Sequence, residues 1–208
     1  MVNAYHITRV ENIQAIWNAS YLMCDEDVLA LMNRPFSFAY QDIKDRRRLT
    51  PVPVGPQGTL SDYVPFYFTN RSPMLATVFY RDRENQTADQ DQIIHLRIDV
   101  ERVVAAGLPF AFSDGHGIMA VSKFYDCLDD LGNIDWETVD SRYWHDTIEQ
   151  PDRKRRKQAE FLIYKRLPLE YIQEIGTRTA RIASDVQFAL ANERIQTPVR
   201  HRPEWYYH

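Results

Sequence analysis

Gln158-Ala159-Glu160-Phe161-Leu162-Ile163-Tyr164 passes from a polar entrance into four apolar side chains in a row. An uninterrupted apolar run of this length reads as a buried strand. Side chains alternate across a strand, which puts Gln158 and Glu160 on one face. A carboxylate at the mouth of such a strand is fixed by it while facing a cleft. Held there, Glu160 can bind a ribose hydroxyl and stabilise positive charge as a glycosidic bond loosens. An exposed glutamate ending a loop is the alternative open at this point.

Working outward, Arg153-Lys154-Arg155-Arg156-Lys157 immediately precedes this stretch. Asn3 to Thr8 reads as a short strand, and Val10, Ile13, Ile16 and Trp17 follow it at helical spacing. Phe36 to Arg48 enters a short helix near Asp42. Thr50 to Thr59 holds three prolines and two glycines, so it is an ordered loop and not a helix. Tyr63 to Thr69 is an aromatic-rich strand, which Pro65 assigns to an edge or a bulge. Ser72-Pro73 is a helix start, with serine as cap and proline in the first turn. The polar stretch Arg81 to Gln92 is the candidate mobile loop. Ile93 to Ile98 alternates as a strand, and Val100 to Ala106 is a helix stopped by Gly107. Phe110 to Ser113 is another strand. Helices follow over Ala120–Leu131 and Trp136–Tyr143, and an amphipathic one over Thr179–Asn192. Strands and helices intermix without a βαβ rhythm, which predicts an α+β fold built as one domain over residues 1–208.

Composition narrows the function. The chain has 208 residues, 44% of them hydrophobic, enough for a continuous core. No apolar run approaches the roughly 20 residues of a membrane span, and the first ten residues lack a secretory pattern. Cys24 and Cys127 lie far apart with no metal or disulfide spacing, so a reduced cytoplasm is expected. The net charge of −4 argues, taken alone, against a nucleic-acid partner. Its distribution argues otherwise, because Arg46-Arg47-Arg48 and the 153–157 run are local basic patches, and charge acts over only about 10 Å at 0.1 M salt. Either patch alone also fits a solvated surface.

Three further groups of residues carry chemistry. In Tyr5-His6-Ile7-Thr8, the ring and hydroxyl of His6 and Thr8 share a face and can bind an amide or a ribose; a structural histidine is the plain alternative. Arginines of the 46–48 cluster can fork onto phosphate or carbonyl oxygen, or simply end a helix. Ser113-Asp114-Gly115-His116-Gly117 is a tight loop that presents an imidazole. No partner with ligand spacing accompanies His116, so no metal is expected. The aromatics include Tyr40, Tyr63, Tyr67, Tyr143 and Trp144, some suited to stacking on bases and most to the core. Dinucleotide-binding glycine motifs, phosphate loops and nucleophile elbows are all missing, which speaks against a dehydrogenase.

Taken together, Tyr5–Thr8, Tyr40–Arg47, Tyr63–Phe68, Arg71–Leu75, Gly107–Phe110, Asp114–His116, Gln158–Phe161 and Trp205–Tyr207 resemble, in order, the DarT family of DNA ADP-ribosyltransferases. These are the toxins of DarTG toxin-antitoxin systems. The resemblance implies a compact, PARP-like ADP-ribosyltransferase fold with split mixed and antiparallel sheets and surrounding helices. It implies NAD+ as co-substrate, single-stranded DNA as acceptor through a thymine ring nitrogen, and a DarG-type macrodomain antitoxin as partner. Arg47 and Glu160 fall on the family's catalytic arginine and glutamate. His6, Thr8, Asn12 and Tyr67, with Arg47, fall on the NAD+ pocket. Tyr40, Arg46, His116, Arg153, Lys154, Arg155 and Gln158 fall on the DNA side. The loop after Arg48 and the 81–92 stretch depart from the family pattern. Guanosine, RNA or protein as acceptor, or a non-catalytic nucleic-acid-binding module of the same fold, remain alternatives.

Overall fold

The computed structural model describes residues 1–29, 41–83 and 89–208. Its strands are β1 (Asn3–Arg9), β2 (Tyr21–Met23), β3 (Tyr63–Tyr67), β4 (Ile93–Asp99), β5 (Phe110–Ser113), β6 (Phe124–Tyr125), β7 (Glu160–Tyr164), β8 (Arg166–Pro168), β9 (Ile172–Thr177) and β10 (Val199–His201). The α-helices are α1 (Ile13–Ala19), α2 (Asp25–Leu29), α3 (Gln41–Leu49), α4 (Pro73–Arg83), α5 (Val100–Ala105), α6 (Trp136–Asp140), α7 (Arg153–Arg156) and α8 (Ala180–Ala189). Eight strands form one mixed sheet in the order β10-β9-β4-β1-β3-β7-β5-β6, antiparallel except for β10 on β9, and β2 pairs with β8 separately. The architecture is α+β, as the intermixed elements predict.

The sheet is split in the middle. β1 pairs with β4 along its whole length, and β3 with β7 likewise, but β1 meets β3 only at Tyr5↔Tyr67. Pro65 helps explain this. Phe68 donates its N–H to Ala159, so by alternation the nitrogen of Pro65 faces β1, where it has no proton to donate. The expectation of an edge or bulge for Pro65 is therefore corrected to an interior strand whose proline lies along an internal split.

Packing differs on the two faces of the split sheet. One face carries the main core, with Ala4, Phe66, Leu96, Ile98, Phe161 and Ile163. The other carries two clusters, one on each half-sheet. Ile7, Ile93, Leu75 and Trp205 belong to one, and Tyr63, Leu162, Leu60 and Ala111 to the other. By register, Tyr67 and Glu160 project from that second face between the two clusters.

Local signals held where short-range physics decides. Ser72 Oγ accepts from Leu75 N at the start of α4, and Gly107, at φ +73°, closes α5 through Val104. Thr179 caps α8 by accepting from Ile182 N. The proline loop is ordered by the Pro51↔Thr59 bridge. Elsewhere tertiary contacts won. Ala120–Leu131 is not a helix: Phe124 and Tyr125 form an edge strand on β5, with Tyr125 stacked on Phe112 at 5.1 Å, and a 3-10 turn follows over Leu128–Asn133. Trp136–Tyr143 stops at Asp140, because Lys157 Nζ takes the carbonyls of Val139 and Ser141 at 2.8 and 2.5 Å and draws the chain off the helix axis. The 81–92 stretch is not one loop. Arg81–Arg83 continue α4, while the buried Gln90 exchanges hydrogen bonds with the backbone of Tyr207. Residues 84–88 of that expectation, and Phe36–Tyr40, lie outside the described residues.

Candidate active site

Glu160 opens β7 with its side chain 1% exposed, and Arg47 is the buried residue of α3, 7% exposed. Nη1 of Arg47 donates to both carboxylate oxygens, at 3.1 and 3.2 Å, and Nη2 donates to Leu60 O at 3.3 Å. Of the three consecutive arginines, only Arg47 turns inward. Arg46 is exposed and reaches Ile118 O, and Arg48 pairs with Asp45. A buried ion pair of this kind is weak evidence for stability, since desolvation consumes most of the attraction. Burial works against the charge on Arg47, but Glu160, Tyr67 and Asp25 outweigh it and keep the guanidinium firmly protonated.

Tyr67 stands opposite Glu160 in the β3–β7 ladder. Burial, and then the neighbouring carboxylate, push its phenol well above the usual range, so it remains a neutral hydroxyl. His6 projects on the other side of β1 from Tyr5 and reaches across the split, where Nδ1 donates to Pro65 O at 2.8 Å. A carbonyl can only accept, so Nδ1 carries the proton. Burial lowers the pKa of His6, and the Arg47 guanidinium acts in the same direction. Thr8 and Asn12 are buried together, with Asn12 Nδ2 donating to Thr8 Oγ1 at 3.0 Å.

The Asp114–Gly117 loop closes over the pair. His116 N donates to Arg155 O, and Ser122 Oγ donates to His116 O. Nδ1 of His116 is buried without a partner among the described residues. Burial lowers the pKa of this ring. Glu160 opposes the shift, while Arg47, Arg46 and Lys154 add to it, so all four charges are felt at His116. The glycines flanking it are closely packed. A Cβ on Gly115 would lie 2.4 Å from Arg155 Nη1, and one on Gly117 would lie 3.2 Å from Glu160 Oε2. The sequence marked this loop as tight; that Gly117 packs against Leu60 and the Glu160 carboxylate was not readable from it.

The remaining expected residues divide. Arg155 is engaged internally, with Asp152 at 2.7 Å and Asp114 at 2.8 Å, and so ties α7 to the His116 loop. Arg153 donates to Gln150, and Lys154 is exposed. Gln158 precedes β7 and does not alternate with Glu160 as a strand residue would. Its Nε2 instead donates to Lys154 O and closes the end of α7. Tyr40 lies outside the described residues. A cavity of about 480 Å³ between Asn3, Tyr5, Asn70, Arg71, Trp136 and Asp140 includes neither Arg47 nor Glu160. The buried pair brings together a carboxylate, able to stabilise a cation-like transition state, and a guanidinium, able to stabilise a developing anion. Among the described residues no cluster of metal-ligating side chains occurs, and no helix is long and apolar enough to cross a membrane.

The split-sheet α+β fold matches that of solved ADP-ribosyltransferases. A family model for "ssDNA thymidine ADP-ribosyltransferase, DarT" matches residues 5–207, and the chain belongs to that family. A DNA ADP-ribosyl transferase of Thermus sp. (strain 2.9) is 38% identical over 205 residues, 98% of this chain and 95% of the relative. The solved structure of Thermus sp. 2.9 DarT in complex with ADP-ribosylated ssDNA matches with a TM-score of 0.90 at 36% identity, over 99% of this chain and 96% of that one. Its complex with NAD+ matches with a TM-score of 0.83 at 34% identity, over 99% and 98%.

Proposed function

We propose that this chain transfers ADP-ribose from NAD+ to thymidine in single-stranded DNA, with residues 1–208 acting as one catalytic domain. The observation that carries the reading is the contact between Arg47 and Glu160 beside the split, with Gly117 packed close to the carboxylate. Family membership supplies the substrates, and the Thermus complexes with NAD+ and with ADP-ribosylated DNA support them.

In this reading Glu160 holds the 2′-hydroxyl of the nicotinamide ribose and stabilises the oxocarbenium ion formed as the C1′–N bond breaks; nicotinamide leaves with the bonding electrons. The thymine ring nitrogen that carries a proton forms the new bond to C1′ and loses that proton. Arg47, which stays protonated, stabilises the anion that develops there, and the proton passes to solvent. Tyr67, His6, Thr8 and Asn12 shape the dinucleotide side, and His116, Arg46 and Lys154 the DNA side. We assign Arg155 and Gln158 to holding the loop and helix that carry those groups. An unpaired strand suits the chemistry because its base is already free. No metal takes part in the scheme. A toxin role in the cytoplasm, with a DarG-type antitoxin, rests on family membership alone.

The test is Glu160→Gln, which keeps shape and removes charge. Transfer of labelled ADP-ribose to a thymidine-containing oligonucleotide should fall at least about a hundredfold, with a lowered but still cooperative thermal transition. Full activity in the folded variant would remove Glu160 from the mechanism. Mass spectrometry of nucleosides from a treated mixed-sequence oligonucleotide decides the base. Modified guanosine in place of thymidine would redirect the assignment.

A further inference from the structure

The segment between α6 and α7 places an aromatic group beside the site that the chemistry above does not use. Trp144 and His145 lie with ring centroids 3.9 Å apart. Tyr80, from α4, approaches them at 6.2 and 6.3 Å. His145 is exposed, Tyr80 is 42% exposed, and Trp144 is half-buried. The Lys154 ammonium lies over the indole, 5.7 Å from its centroid. It forms no ion pair among the described residues, in contrast to Arg155 and Arg156 on the same helix turn.

The group is fixed. Asp146 accepts the N–H of Lys154 at 2.8 Å, and Lys157 pins the chain at Val139 and Ser141. It is also continuous with the active site, because α7 leads within a few residues to Glu160 and Arg155 O receives His116 N.

We propose that Tyr80, Trp144 and His145 form a stacking platform for a nucleobase flanking the modified one, with Lys154 taking the adjoining phosphate. The inference rests on single-stranded DNA being the acceptor. Partly exposed aromatic rings beside a cation that has no carboxylate partner among the described residues are the combination that holds unpaired strands, since any base can stack and the phosphate answers the charge. A protein partner would be expected to meet a continuous apolar surface; Tyr143 and Ile148 are exposed in this segment, but Arg142, Asp146 and Glu149 are exposed among them and break its continuity. The platform adds affinity for strand on one side of the target without touching the reacting atoms.

The experiment measures binding of a fluorescein-labelled single-stranded oligonucleotide, carrying one thymidine in a purine context, by anisotropy without NAD+. Trp144→Ala and His145→Ala should each weaken binding roughly tenfold. Trp144→Phe and His145→Phe should restore most of it. In turnover the alanine variants should raise KM for the oligonucleotide, with KM for NAD+ and kcat at saturating DNA unchanged. An abasic residue at the flanking position should weaken wild type by a similar factor and leave Trp144→Ala unaffected. If wild type binds and the alanine variants bind equally well, the platform is wrong and the acceptor reading stands. If wild type binds no single-stranded DNA, both fall.

Discussion

Two charged regions of this chain look alike in sequence and behave oppositely in the fold. The 46–48 and 153–157 runs are both basic, and either could be a surface patch. In α3 one arginine of three is taken into the interior to meet a carboxylate 113 residues away. In α7 most of the charge is consumed close by: Arg155 by Asp152 and Asp114, Arg156 by Asp135 and Asp152, and Lys157 by backbone carbonyls. Lys154 alone of that run stands exposed without a carboxylate partner among the described residues. A basic run is therefore no measure of a DNA footprint. Which cations remain uncommitted after folding decides it.

The contrast can be tested by removing cations one at a time. Arg47→Ala should have the largest effect, lowering unfolding free energy by about 3–5 kcal/mol because Glu160 is left buried and unpaired. Transfer should be lost with it, and denaturant titration alongside the transfer assay separates the two losses. Arg47→Ala as stable as wild type would mean that Glu160 is not truly buried. Arg155→Ala comes next, at about 1–3 kcal/mol, through its charged hydrogen bonds to Asp152 and Asp114. Hydrogen exchange should rise across 113–117, and a change in DNA affinity with no change in protection would return Arg155 to the DNA.

Lys157 tests the buried end of the run through pH. Burial lowers its pKa to about 8, with Arg71 adding to the shift. Between about pH 8 and its unfolded value near 10.5 the unfolded chain holds a proton that the folded chain has released, so stability from this group rises with pH across that window. Lys157→Met should flatten that rise in urea titrations at pH 8 and above; an unchanged slope would assign it to other groups. Lys154→Ala should be the mildest, within about 0.5 kcal/mol of wild-type stability. Its signature is a salt dependence of DNA binding reduced by about one in log–log slope. A stability loss as large as that of Arg155→Ala would erase the distinction between the two.

What could be read early was local. Ser72-Pro73, Gly107 and Thr179 mark their boundaries because capping and left-handed turns involve neighbours in the chain. The β7 strand and Glu160 at its mouth were likewise legible from apolar patterning. Phe124-Tyr125 was not, because a two-residue strand exists only through its pairing with β5. Nor was the end of α6, which depends on an amine from Lys157. Gln158 was misplaced because alternation was extended one turn beyond where the strand begins.

The amino-acid sequence by itself determined the chemical groups, the local elements and the family, since these depend on residue type, short spacings and order along the chain. Only the tertiary structure decided that Arg47 and not its neighbours meets Glu160, that β1 and β3 part after one pair, and that Arg155 braces a loop. Such choices turn on register and packing between segments many residues apart, where burying or sparing a single charge changes the free energy by more than any local preference does.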